Sequence, residues 1–431
     1  MNRVFNRQKL VRGYKKFYRT SFDIVKWSAI AALTGAIVGF AVGGALIFLE
    51  FSINYLDLHK LFGAPSFIFL PLALALSAAL TGYKWKEAVG DGTEEVVKSA
   101  IFDKNGPKTA AFFSKQVATL ITLIFGGSAG KEAPSAQIGA FVSALGARAL
   151  RLKEQHKIVL IISGVSAGFA VVFGAPIAAG FFALEALFSG KILYRVLVPS
   201  FISSFVAYWS MHILKVEYIY HPIYVALVPD FWEILNLIKA VAAGIFFGAA
   251  AYGVIVAMNL ANRLAKHELD PVLKGFIGGV LLIALTYLFG DKYLGLGLDT
   301  INRAFYITNE FEWYDPILKT LFTLITLGFG GSGGFVTPLF FIGAVCGNLF
   351  AQTAEADVAL YAALGFVSVL SGATNSPIAT TILAAELFGI EVAHFAAVTS
   401  TISYLISSQK SVFAPEIIES IEIRFKRAIK D

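Results

Sequence analysis

An all-α membrane protein of two duplicated halves, with helices interrupted at membrane depth, is the fold class this chain predicts, and three observations predict it. The first is composition: 57% of the 431 residues are apolar and 15% are charged, against roughly 45–50% and 25% in soluble domains. The second is where charge is missing. No Asp, Glu, Lys or Arg falls from Ile158 to Leu184, from Leu321 to Ala354, or from Val358 to Ala385, and each gap reaches the ~20 residues that carry a helix across about 30 Å of hydrocarbon. The third is an internal repeat. Thr119 to Gly130 reads TLITLIFGGSAG, Thr323 to Gly334 reads TLITLGFGGSGG, and ten of the twelve positions agree. Disorder and collagen are excluded by the same composition, and a disulfide scaffold by the lone Cys346.

The elements follow in order. Residues 1–22 form a basic segment: Arg3, Arg7, Lys9, Arg12, Lys15, Lys16 and Arg19 precede the first acid, Asp23. Basic residues beside membrane spans stay on the cytoplasmic side. With Arg424, Lys426, Arg427 and Lys430 at the other end, both termini are expected to be cytoplasmic and the crossings even in number. This placement accounts for the net charge of +6 without nucleic acid. The run Ile30 to Leu49 is too long for the apolar core of a cleavable signal. Apolar segments then recur near 27–56, 66–82, 108–125, 134–150, 158–173, 176–189, 193–213, 232–265, 271–289, 317–329, 338–353, 358–371, 377–388 and 392–407. Several are too short to span, and the breaks are rich in Gly and Pro: Gly126 to Gly130, Gly174 to Pro176, Gly328 to Gly334, Gly372 to Pro377. Non-helical backbone at that depth survives only when buried in protein or lining a polar cavity, so the breaks point to a pathway.

The repeat stays in register beyond its core. At an offset of 204, Pro134 matches Pro338, Gly139 matches Gly343 and Ala140 matches Ala344; Glu185 and Glu386 each stand nine residues after a Pro-Ile-Ala proline. The expected halves are 23–215 and 231–431, joined by 216–230. Duplicated halves with broken helices characterise transporters whose site lies at the repeat interface.

Both breaks are built to receive an anion. Gly130-Lys131-Glu132-Ala133-Pro134 places proline in a first helical turn, where a missing N–H costs nothing, and Gly334-Phe335-Val336-Thr337-Pro338 repeats the arrangement. Two helix N-termini, each carrying about half a positive charge, can then converge on one point. Gly90-Asp91-Gly92-Thr93 is a third candidate, a loop with a possible cap ahead of Glu94 to Ile101. The halves differ at one place, where Glu132 falls opposite Val336. A carboxylate there can occupy the anion's position and leave on protonation; it can also merely satisfy its own helix dipole. Lys131 is either its ion-pair partner or a snorkelling surface residue. Glu185 and Glu386 read as acids holding backbone N–H groups, with proton carriage the other option, and the Thr337 hydroxyl either bonds its own backbone or contacts an ion. The six histidines are scattered without metal-ligand spacing, and a Walker phosphate loop would need Gly at 125 and Ser or Thr at 132, where Phe125 and Glu132 stand.

With these motifs in place, the chain resembles, from about residue 25 onward, the CLC family of anion channels and proton-coupled anion antiporters. GKEAP at 130–134 is similar to the family's G(K/R)EGP motif, and GFVTP at 334–338 to its GxFxP motif. Gly90 to Glu94 aligns with the GSGIP segment, and Lys410 to Phe413 with the segment carrying the inner-gate tyrosine. The resemblance implies a homodimer with one pore per subunit, each subunit an inverted repeat of tilted helices. It also implies that Glu132 is the gate and outer proton carrier. Anion binding would fall to Gly90, Asp91, Gly92, Gly130, Lys131, Ala133, Gly334, Phe335, Val336, Thr337 and Phe413. With the chain ending at Asp431, the cytoplasmic regulatory domains of many eukaryotic members are expected to be missing.

Four departures refine what the resemblance implies. Asp91 stands where chloride members have a pore serine, so its carboxyl must be protonated or turned away. Phe413 replaces the inner-gate tyrosine, keeping an apolar constriction without a hydroxyl. Ala186 stands where many antiporters carry an inner proton glutamate. Val336-Thr337 together with GGSAGKE looks more like the fluoride-exporting branch. The expectation is transport of a small monovalent halide, chloride by family default with fluoride a strong competitor, by anion/proton antiport gated by Glu132; a passive channel is the alternative, motivated by Ala186. Neither a cofactor nor enzymatic activity is expected, because no paired Asp, metal cluster or Ser/His arrangement lies inside the spans.

Overall fold

The computed structural model describes residues 2–55, 65–83, 101, 109–187, 194–215, 229–264, 269–407 and 411–412. Among them fifteen α-helices and one 3-10 turn form, with no strand. The first half holds α1 (Asn2–Tyr55), α2 (Leu70–Gly82), α3 (Thr109–Ile124), α4 (Glu132–Ala149), α5 (Glu154–Phe173), α6 (Pro176–Leu187) and α7 (Tyr194–Leu214). The second holds α8 (Ile234–Leu264), α9 (Pro271–Phe289), α10 (Leu298–Tyr306), α11 (Asp315–Gly328), α12 (Val336–Thr353), α13 (Val358–Thr374), α14 (Pro377–Phe388) and α15 (Ile390–Ile406). The basic residues of the N-terminal segment continue into the first apolar run within the single helix α1.

Among the described residues six helices are long and apolar enough to cross a membrane: Val25–Ile53, Glu154–Phe173, Arg195–Leu214, Ile234–Leu260, Pro271–Phe289 and Val336–Thr353. Others fall short. α6 and α14 have 12 residues each, about 18 Å at 1.5 Å per residue. Such helices stay in the membrane only by meeting another element end to end or side to side, and the repeat supplies that partner.

Packing is duplicated. In the first half α4 lies on α5, α5 on α7, and α7 on α1; in the second α12 lies on α13, α13 on α15, and α15 on α8. Across the halves α2 packs on α9 and α6 on α14, each helix against its own repeat mate, as an inverted repeat requires. Between helices in lipid, close packing replaces the hydrophobic drive that water would supply. Thus Gly139 sits under the Gly164 carbonyl, and in the second half Gly343 under that of Gly365. Helix ends obey the same duplication: α5 stops at Gly174 (φ 70°) and α13 at Asn375 (φ 57°), both left-handed, and a proline opens the next helix in each case.

The short pair α6 and α14 is held by exchanged carboxylates. Glu386 accepts hydrogen bonds from the backbone N–H of Ile177 (3.0 Å) and Ala178 (2.7 Å) at the start of α6. Glu185 accepts from Ile378 (3.3 Å) and Ala379 (2.7 Å) at the start of α14. Each acid therefore satisfies orphan N–H groups at the positive end of the other half's helix, the backbone-holding role expected of both.

A second polar knot sits at the start of α11. Asp315, fully buried, accepts from Lys292 Nζ (2.8 Å), from the Glu312 N–H (2.9 Å) and from the Tyr293 hydroxyl. One turn on, the equally buried Lys319 donates to the carbonyls of Tyr293 and Gly295, both at 3.0 Å. A buried ammonium needs such partners, and here they fix the segment ahead of α10. That segment in turn meets the first half, through the Gly295 N–H and the Gly126 carbonyl (2.8 Å).

Candidate functional site

The site begins with the repeated dodecapeptides, which cross. Thr122 and Thr326 each donate to the carbonyl four residues back in their own helices, at 2.8 Å. Their remaining lone pairs face the other half. Thr326 Oγ1 accepts the Ser128 N–H and Thr122 Oγ1 accepts the Ser332 N–H, both at 3.0 Å. The hydroxyls of Ser128 and Thr323 lie 3.0 Å apart, those of Thr119 and Ser332 2.8 Å. Every one of these contacts has its mate 204 residues away. The turns that allow the crossing place Gly126 at φ 89° and Gly330 at φ 108°, a region open to glycine and strained for other residues.

Past the crossing the two strands of backbone touch. Gly130 N–H donates to the Gly334 carbonyl (2.7 Å) and Gly334 N–H to the Gly130 carbonyl (2.9 Å), an antiparallel bridge. It brings the first residues of α4 and α12 side by side, the convergence of helix N-termini that the motifs predict. A side chain at Gly130 would meet Thr337 Oγ1 at 2.8 Å and the Thr337 nitrogen at 3.0 Å. Gly334 is backed by the Ala133 methyl at a comparable 2.8 Å. Glycine is required at both.

At this junction Glu132 and Thr337 are fully buried. Glu132 opens α4, yet its carboxylate turns to the other half: Thr337 Oγ1 lies 2.6 Å from both carboxylate oxygens, and the Thr337 N–H reaches Oε2 at 3.1 Å. Glu132 meets both descriptions of it: its carboxylate takes a hydrogen bond from its own backbone N–H at the start of α4 and also lies on the converging start of α12. Thr337 likewise points at the site and not back along its helix. Lys131 is buried, 7% exposed, so it is no surface residue; its ammonium interacts electrostatically with Glu132 and Glu50. Phe335 caps α12 and Val336 is its first residue, the apolar counterpart of Glu132.

Gly130, Lys131, Glu132, Ala133, Gly334, Phe335, Val336 and Thr337 are thus gathered at one place. Gly90, Asp91, Gly92 and Phe413 lie outside the described residues. Sequence reasoning missed Thr119, Thr122, Ser128 and their mates Thr323, Thr326 and Ser332; their signal was the identical hydroxyl pattern of the two dodecapeptides. Ala186 is buried beside Glu185, so the position next to that acid holds no titratable group.

Two crossed halves of membrane helices, meeting through paired helix N-termini at a buried carboxylate, define the class: a duplicated membrane protein with a candidate site at the repeat interface. The chain belongs to the voltage gated chloride channel (CLC) family, whose model matches residues 72–408. It is 30% identical over 398 residues to a chloride/fluoride channel protein of Pseudomonas syringae pv. tomato, covering 90% of this chain and 86% of that one. An uncharacterized protein of Methanocaldococcus jannaschii is 26% identical over 396 residues, covering 90% and 95%. Among solved structures, a CLC-type fluoride/proton antiporter superposes with a TM-score of 0.81 at 28% identity, over 91% of this chain and 97% of that one. A slow cyanobacterial Cl-/H+ antiporter shares the fold, with a TM-score of 0.76 at 18% identity, over 93% and 98%.

Proposed function

We propose that this chain exchanges a halide for protons across a membrane, with Glu132 as both gate and proton carrier. The observation that carries the reading is the Glu132 carboxylate lying on the Thr337 N–H and hydroxyl, the donors that a passing anion would need. As an anion itself, the carboxylate competes for them. Protonation removes its charge, weakens its hold on the helix ends and releases the donors to a halide. Because one site alternates between the side chain and the ion, proton movement and anion movement are linked. The CLC-type fluoride/proton antiporter, 28% identical and sharing this architecture, supports antiport over a passive channel.

Fluoride is the substrate we favour over chloride. The Thr337 hydroxyl adds a short donor to the backbone N–H groups, and small, tightly hydrated fluoride gains more from it than chloride does. The halves 23–215 and 231–431, joined by 216–230, would each contribute one helix N-terminus. Gly90, Asp91 and Gly92 would complete the anion path, Phe413 would form its inner constriction, both termini would face the cytoplasm, and two such chains would pair as a homodimer with separate pathways.

Proteoliposomes loaded with fluoride or chloride, with external halide and pH followed together, test this. Halide efflux driving proton uptake, faster with fluoride, is the expected result. Fluoride efflux without proton movement would make the chain a channel, and no halide flux would refute the reading.

A further inference from the structure

Between α8, α11 and α12 lies a groove that the transport reading does not use. Its volume is about 820 Å³, within the roughly 300–1,000 Å³ of small-molecule sites. The walls are apolar: Phe246 and Gly253 on α8, Ile317 and Leu321 on α11, Cys346 and Leu349 on α12. Phe246, Ile317 and Leu321 are exposed, so the groove opens sideways where membrane-spanning helices meet lipid. Its inner end is closed by Val254 and Ala257 on α8, Leu324 on α11 and Ile342 on α12.

The outer end has a different chemistry. Lys239 stands seven residues before Phe246, two turns back on the same face of α8. Its ammonium donates to the Glu355 carbonyl just beyond α12, at 3.4 Å, and it makes no ion pair among the described residues. Trp313, 73% exposed, borders the groove at the start of α11, in the manner of aromatic side chains at a membrane interface. A slot that is apolar over most of its depth, with a cation and an indole at its mouth, has the polarity of a single lipid.

We propose that this groove is a phospholipid site. One acyl chain lies between α8, α11 and α12, and the phosphate meets the Lys239 ammonium beside Trp313. The chain tip rests on Val254, Leu324 and Ile342. The site is independent of which ion is carried.

Native mass spectrometry of the full chain extracted in mild detergent provides one test. Wild type should retain one phospholipid per chain. Gly253→Phe should lose it, because no atom lies within 4 Å of a Cβ built at Gly253 and the ring would fill the groove. Lys239→Gln should weaken retention roughly five-fold, the loss of one cation near a phosphate. Wild type without phospholipid, or with only detergent or sterol bound, overturns the proposal, as does a folded Gly253→Phe that keeps its lipid. A phospholipid with a photoreactive group at the acyl tip, in vesicles with unaltered protein, decides the matter even if Gly253→Phe misfolds. Adducts should concentrate on Val254, Ala257, Leu324 and Ile342; an even spread over lipid-facing helices such as α9 would overturn the site.

Discussion

Thr337 and Glu132 are joined across the two halves: the threonine hydroxyl sits 2.6 Å from each carboxylate oxygen and the threonine N–H 3.1 Å from one of them. One hydroxyl proton is shared between two acceptors, and a helix N-terminus stands behind it. The carboxylate is therefore held by groups that are complementary to any small anion.

Thr337→Val keeps the shape and removes the hydroxyl. A donor lost to a charged partner costs about 1.5–3 kcal/mol, roughly ten-fold to over a hundred-fold in binding. Fluoride transport should fall by that range at limiting concentration while chloride changes less, measured as concentration dependence of flux in proteoliposomes. Equal losses for both halides would return Thr337 to a structural role.

Glu185→Gln leaves one oxygen to accept from Ala379 but removes the charge at the start of α14. We expect a lower melting temperature in detergent and an unchanged ratio of protons to halide. A changed ratio would mean that Glu185 carries protons as well as capping α14.

Thr326→Val strips the acceptor from the buried Ser128 N–H, and Thr122→Val does the same to Ser332. An unsatisfied buried donor costs about 1–3 kcal/mol. The two variants should lower thermal stability alike, with Thr→Ser restoring most of it. A large effect at one position and none at the other would show that the crossing is not shared equally by the halves.

Much of this was legible in the sequence because duplication leaves two copies to compare. The identical dodecapeptides located the crossing, Pro134 and Pro338 marked the helix starts, and the mismatch of Glu132 with Val336 singled out the buried carboxylate at the junction. What pairs with what was not legible. That Thr326 would hold Ser128, or Glu386 the start of α6, depends on how the halves are turned toward each other, which spacing alone does not encode. α10 escaped notice because buried Ile301, Ala304 and Phe305 alternate with exposed Asn302 and Arg303, so it forms no continuous apolar run. Asp315 and Lys319, at the start of the apolar segment 317–329, drew no reading from the sequence. Both lie inside, because their partners come from the Lys292–Gly295 segment.

Phe413→Ala should raise anion throughput and loosen coupling, whereas Phe413→Tyr should change little, since the side chain is expected to act by size. Flux and pH recorded together would show this. An inert alanine variant would place the inner constriction elsewhere.

The central claim is that one carboxylate couples the two ions. Glu132→Gln imitates its protonated form without a titratable proton, so the most direct measurement is proton pumping by purified Glu132→Gln in proteoliposomes under an outward fluoride gradient. The account predicts fluoride efflux with no uphill proton movement. Continued proton pumping by this variant would contradict it.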